Sequence, residues 1–333
     1  MNMVYSPFSL LIYTSLLIST LMALSSANWI LLWVSMELNL LSFMPIILQS
    51  SSNQEAEGSV KYFLAQAMGS ALLLMSSSTL WMPFTPLSNS LPLILTAAIM
   101  LKLGSAPCHF WYPSVMSSIS WSSCLILSTW QKLAPLSIMA FILSYNNNLM
   151  IMIMAGLNTL IGGVMGMNQS QLRSIMAYSS IGHIGWMMSL MAIIKPNASI
   201  LYFMVYSSLI IPIFNILKYF NIYTTKHLSK ISMNSMSLHL MTMMLLMSLG
   251  GLPPLTGFAP KLMTVMLLTE SLSAVTLILI IGSVMNLYFY LNIVLNMLFT
   301  SSPVKSSGIY KSAPMLMTVT ATSSLGLSPL IMM

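Results

Sequence analysis

Apolar runs of near membrane-spanning length follow one another along the whole chain, separated by short polar or charged stretches. A helix needs about 20 such residues to cross the hydrocarbon of a bilayer, and on that measure the pattern predicts about eleven spans. They are expected at Pro7–Leu24, Trp29–Leu48, Ser59–Trp81, Leu91–Pro107, Ile119–Leu143, Leu149–Met167, Leu172–Ile194, Ala198–Phe220, Leu238–Thr269, Val275–Thr300 and Pro314–Ile331. The first is expected as a permanent span, because the residues before it carry no basic side chain of the kind that opens a leader peptide. The expected fold is therefore all-α: a polytopic transmembrane bundle forming a single membrane domain over 1–333.

The pattern also repeats. If 7–143 and 149–300 are taken as two halves of five spans, the fourth member of each is interrupted by Gly and Pro and carries a lysine. An odd number of spans per half makes the repeats inverted, with the span at 314–331 outside them. Interrupted helices at matching positions of inverted repeats point to a transport site.

Composition narrows the class. The chain is 57% hydrophobic and 5% charged over 333 residues, too few charges to cover a soluble domain of this length. The net charge of +7 does not mark a nucleic-acid binder, because the basic residues are scattered. With the spans above, Lys61, Arg173, Lys218, Lys226, Lys230, Lys305 and Lys311 fall on one side and only Lys195 on the other. That asymmetry places the N-terminus on the positive side and the C-terminus opposite. Four histidines, two cysteines and no aspartate offer no metal-ligand or cluster constellation. Cys108 and Cys124 read as helix-packing residues, and no cofactor is expected in this chain.

Four ionisable groups remain within the expected hydrocarbon: Glu37, Lys102, Lys132 and Lys261. Each central lysine costs roughly 2.5–3.5 kcal/mol to insert. Pro107 and Pro135 follow two of them and are expected to free the carbonyls of Leu103 and Gln131. Snorkelling to an interface is the bland account of Lys102 and Lys261. The functional account is a proton relay, in which a desolvated lysine exchanges its proton as a carboxylate approaches; Glu37 is the candidate carboxylate. His183 is either a relay element or a hydrogen-bonding bundle residue, and His109 could feed protons in from the positive side. His227 and His239 read as loop or span-end residues, Glu55 and Glu57 as a solvated loop beside Lys61, and Glu270 as interfacial. Gly162-Gly-Val-Met-Gly166 lacks the Lys-Ser/Thr of a phosphate loop and reads as a close helix contact.

Five motifs carry a resemblance: Met36-Glu-Leu-Asn-Leu-Leu-Ser-Phe, Lys102-Leu-Gly-Ser-Ala-Pro-Cys-His-Phe-Trp, Thr129-Trp-Gln-Lys-Leu-Ala-Pro, Asn168-Gln-Ser-Gln-Leu-Arg-Ser and Gly250-Gly-Leu-Pro-Pro-Leu-Thr-Gly-Phe-Ala-Pro-Lys. In this order, over about Trp29 to Tyr290, they resemble the chain 2 family of animal mitochondrial NADH-ubiquinone oxidoreductase. These are antiporter-like membrane-arm subunits of respiratory complex I. The resemblance implies a multi-pass protein of the mitochondrial inner membrane with the matrix on the positive side. It implies a proton path through Glu37, Lys102, Lys132 and Lys261, with His109 and His183 near it. NADH, flavin, iron–sulfur clusters and ubiquinone would be bound by other subunits. Partners would be other membrane-arm subunits and inner-membrane lipids including cardiolipin, with no nucleic acid. Cys108 stands where the family usually has Phe, and Ser114 where an acidic residue commonly follows the proline. Two other readings fit the residues: a stand-alone cation/proton antiporter, and a scaffold whose lysines serve neighbouring subunits or lipids.

Overall fold

A computed structural model describes residues 7–50, 52–80, 91–143, 149–228, 231, 236–269, 273–299 and 322. The expected turn at Tyr145–Asn148, the side chains of Lys230, Glu270, Lys305 and Lys311, and the span at Pro314–Ile331 apart from Thr322 lie outside them. The described residues are helical, with one isolated bridge between Gln171 and Thr224. Two compact units divide at Asn147 and Asn148.

The first unit holds α1 (Pro7–Ser25), α2 (Trp29–Ile47), α3 (Asn53–Leu80), α4 (Leu91–Leu103), α5 (Trp111–Ser118), α6 (Trp121–Ser128) and α7 (Trp130–Leu143). Its core is an aromatic run from α2 through α3 to α5. Phe43 meets Tyr62 at 5.2 Å between ring centroids, Tyr62 meets Trp111 at 6.0 Å, and Trp111 meets Tyr112 at 5.6 Å, all edge-to-face.

Three local expectations are corrected here. Glu55 and Glu57 are helical, because Ser52 starts α3: its hydroxyl accepts the Glu55 N–H at 3.2 Å, and Ser52-Asn-Gln-Glu55 reads as a capping box. Glu55 is buried rather than solvated, while Glu57 pairs with Lys61 at 2.6 Å one turn on. That hydrogen bond and the lysine charge hold the Glu57 carboxyl below its usual range. The segment after the α4 break is itself a helix, α5, with Pro113 in its first turn, where a missing N–H costs nothing. The expected span at Ile119–Leu143 breaks at Thr129, whereas α7 runs on through Pro135. Thr129 turns both its N–H and its hydroxyl back to the Leu125 carbonyl, at 3.1 and 2.7 Å. Such side-chain back-bonding bends helices.

The second unit holds α8 (Leu149–Met167), α9 (Leu172–Ala192), α10 (Pro196–Tyr219), α11 (Met236–Gly250), α12 (Phe258–Thr269) and α13 (Ser273–Phe299). At its centre is α9, buried along its length apart from Arg173 and Tyr178. Glycines bring the backbones together: a Cβ at Gly162 would sit 2.7 Å from the Tyr178 carbonyl of α9, and one at Gly163 would sit 3.0 Å from the Gly282 carbonyl of α13. The segments flanking α9 and α10 are clipped by Leu172 N–H to the Tyr223 carbonyl (2.9 Å) and Thr225 N–H to the Ser170 carbonyl (3.2 Å). His227 is exposed on the turn that follows, and His239 lies near the start of α11, as expected of a span-end residue, with its side chain buried.

Among the described residues, six helical stretches are long and apolar enough to cross a membrane: Pro7–Ser25, Trp29–Ile47, Trp121–Leu143, Met150–Met167, Pro196–Tyr219 and Ser273–Phe299. The helices α3 and α9 are long enough but more polar. For α9 the reason is visible: its serines and His183 face protein rather than lipid.

Candidate functional site

In the first unit the site begins where α4 stops. The residue that ends α4 is Gly104, at φ +68°, rather than Pro107. Ser105 N–H bonds to the Met100 carbonyl at 3.1 Å and Gly104 N–H to the Leu101 carbonyl at 3.2 Å, the paired C-cap that a left-handed glycine permits. Side chains satisfy the same helix end further. Trp111 Nε1 donates to the Leu101 carbonyl at 3.0 Å, and Gln66 Nε2 donates to the Lys102 carbonyl at 3.1 Å. A helix end buried in this way needs such partners.

Lys102 and Lys132, both buried, line one hollow. Its walls include Asn39 of α2, Tyr62 and Gln66 of α3, Trp111 and Tyr112 of α5, and Gln131 of α7. Gln131 Nε2 donates to Asn39 Oδ1 at 2.9 Å, tying α7 to α2. The Lys132 Nζ lies 5.3 Å from the centroid of the Tyr112 ring. Half-buried Glu37, two residues before Asn39, acts on Lys102 through space rather than by a direct ion pair. His109 sits in the α4–α5 break, buried, with its Nδ1 3.2 Å from the Pro107 carbonyl. The structure thus brings Lys102 and Lys132 to one hollow, places Glu37 outside its lining on α2, and leaves His109 on the connecting turn.

The second unit uses the same cap. The break between α11 and α12 turns on Gly251, at φ +85°. Leu252 N–H reaches the Met247 carbonyl at 3.3 Å, and Gly251 N–H reaches the Ser248 carbonyl at 3.0 Å. Buried Lys261, in the first turn of α12, sends its Nζ back to the Gly250 carbonyl at 2.8 Å. His183 of α9 lines a separate hollow with Ser248, Gly257 and Pro260 around that break. His183 Nδ1 is 2.9 Å from the Tyr202 hydroxyl, and the ring of Tyr206 lies 4.9 Å from the imidazole.

Sequence reasoning missed Tyr112, Gln66, Asn39, Gln131, Tyr202 and Tyr206. Two signals were present. Asn39 and Gln131 are close chain neighbours of Glu37 and Lys132, and Tyr202 and Tyr206 lie four apart on one helix face. Among the described residues, no three His, Cys or Glu side chains converge as metal ligands.

Two breaks with buried lysines, in a chain of apolar helices, fit an ion-moving membrane protein, and comparison with known proteins decides the family. Residues 26–287 match the family model described as NADH:quinone oxidoreductase/Mrp antiporter, transmembrane. The chain is 60% identical to NADH-ubiquinone oxidoreductase chain 2 of Lumbricus terrestris, with all of both chains covered. This chain belongs to the NADH-ubiquinone oxidoreductase chain 2 family. A more distant member, from Hippopotamus amphibius, is 38% identical over 90% of this chain and 88% of its own. The fold is also that of a chain in respiratory complex I from Thermus thermophilus with bound aureothin, with a TM-score of 0.86 at 21% identity over 97% of this chain and 78% of that one. A chain of the Mrp complex from Dietzia sp. DQ12-45-1b shares it, with a TM-score of 0.78 at 16% identity over 94% and 74%. As a member of this family the chain is a multi-pass membrane protein.

Proposed function

We propose that the chain translocates protons as an antiporter-like subunit of respiratory complex I, driven by electron transfer from NADH to ubiquinone. Its relatives are named for that reaction, and on this reading the redox groups belong to other subunits of the complex. The relay has two segments. In the first unit Glu37, Lys102 and Lys132 exchange charge around one hollow, with His109 at the turn leading to it. In the second, Lys261 is latched to the end of α11 at the α11–α12 break, and His183 lines the hollow beside that break. The shared hollow of Lys102 and Lys132 carries this reading. Two cations desolvated side by side cannot both keep a proton cheaply, so a shift of Glu37 decides which one does.

The same reading sets the surroundings. The chain lies in the mitochondrial inner membrane with its N-terminus in the matrix and its C-terminus in the intermembrane space. It is flanked by other membrane-arm subunits and by anionic lipids such as cardiolipin near Arg173, Lys218 and Lys226. The recurrence of one glycine cap at both breaks supports an internal repeat.

Lys132→Met in the assembled complex tests the relay. It should lower coupled NADH oxidation by about tenfold, some 1.4 kcal/mol of barrier, while the complex still assembles. Unchanged turnover and proton output in an assembled variant would remove Lys132 from the path.

A further inference from the structure

The hollow of the first unit holds one feature that the relay reading does not use. Lys132 Nζ lies over a ring face, 5.3 Å from the centroid of Tyr112, within the range at which an ammonium is attracted to an aromatic quadrupole. The ring is not adjustable. Tyr112 is 1% exposed and is wedged edge-to-face against Trp111, which is in turn bonded to the end of α4. The base of the side chain packs on Gly104. A Cβ there would come within 2.8 Å of Tyr112 Cβ and 3.1 Å of its Cγ, so only glycine leaves room. Tyr112 therefore joins the turn that ends the Lys102 helix to the ammonium of Lys132.

We propose that Tyr112 is a positioning residue for Lys132: its ring face holds the ammonium inside the hollow, and the α4–α5 turn holds the ring. Among the other charged or titratable groups of the packed elements, Lys102 of α4 and Tyr62 of α3 line the hollow, Glu37 lies on α2 outside its lining, and α1 carries Tyr13. The Cys124 thiol of α6 is turned to the Met116 carbonyl. Tyr112 supplies an aromatic face at the Lys132 ammonium. Any movement of the turn that carries Lys102 is then felt at Lys132 as a change in how well its charge is held.

This inference rests on the reading of Lys132 as a relay residue, so the experiment separates the two. Tyr112→Phe, Tyr112→Leu, Gly104→Ala and Lys132→Met are made in the assembled complex, and NADH-driven proton output is followed from neutral to alkaline pH. Phe keeps the ring face and should superimpose on the wild-type profile. Leu removes it, so Lys132 holds its proton less well and the alkaline limb should move to lower pH by roughly one unit. A Leu profile identical to wild type, or a Phe profile shifted as far as Leu, overturns the assignment. If the Leu chain fails to assemble, Gly104→Ala carries the test with Tyr112 still present. The displaced ring should move the limb the same way, and a wild-type limb overturns the proposal. Full proton output from Lys132→Met would instead overturn the relay reading itself.

Discussion

The two helix breaks share a turn and differ in what they do with the lysine beside it. At the end of α4, neutral donors from Gln66, Trp111 and Ser105 satisfy the last carbonyls, which leaves the Lys102 ammonium to the hollow it shares with Lys132. At the end of α11 the lysine is itself the cap, with Lys261 Nζ on the Gly250 carbonyl at 2.8 Å. The charge of Lys261 is thereby supported by a fixed helix terminus. Glu37 makes no ion pair with Lys102, and on the proposed relay it tunes the Lys102 charge by approaching or withdrawing. A carboxylate-tuned lysine suits the changing step of a relay. A backbone-latched lysine suits a step whose state alters only when the break itself moves.

This contrast can be broken most forcefully at Lys261. Lys261→Met removes a proposed relay group and strips the Gly250 carbonyl of a buried donor, so proton output should fall at least about tenfold and stability by roughly 1–3 kcal/mol. The thermal midpoint of the complex and its proton output should drop together. If output falls with no loss of stability, the Nζ bond contributes nothing to the turn.

A finer cut uses adjacent glycines. Gly251→Ala places a Cβ 2.7 Å from Lys261 Nζ at a φ that alanine resists, costing about 1–2 kcal/mol and displacing the latch. Gly250→Ala meets nothing closer than 3.6 Å and should be nearly silent. Comparing NADH-driven proton output of these two neighbours checks the latch directly; equal effects would show that the cap geometry does not govern Lys261.

The smallest effect lies at a third turn of the same kind with no lysine function attached. After α9, Ile194 takes φ +60°, with its N–H on the Met191 carbonyl at 2.9 Å and Lys195 N–H on the Leu190 carbonyl at 3.1 Å. A β-branched residue is strained there. Ile194→Gly should raise the thermal midpoint, with a gain of about 1 kcal/mol, and leave proton output unchanged.

Much of this was legible in the sequence because the governing signals are local. Apolar run lengths located the helices, and lysines embedded in such runs marked both breaks. What was hidden depends on which partner each polar group finds once the chain has folded. That Gly104 rather than Pro107 stops α4 follows from where Ser105 N–H, Trp111 and Gln66 find carbonyls. The kink at Thr129 comes from a hydroxyl that bonds back to Leu125, a choice that an isolated Thr in an apolar run does not announce. Burial of Glu55 was masked by its charge and by the sequence of Glu57 and Lys61 around it, although Ser52 three residues earlier was a readable cap. The pairing of Lys132 with Tyr112 required the fold, since no helical spacing links them.

The measurement that tests the difference between the two lysines most directly is proton output per NADH oxidised by the assembled complex in sealed vesicles, wild type beside Glu37→Gln. Loss of the tuning carboxylate should cut the number of protons moved per NADH while the Lys261 latch and assembly are intact. An unchanged ratio at full turnover would contradict a relay in which Glu37 sets the charge of Lys102.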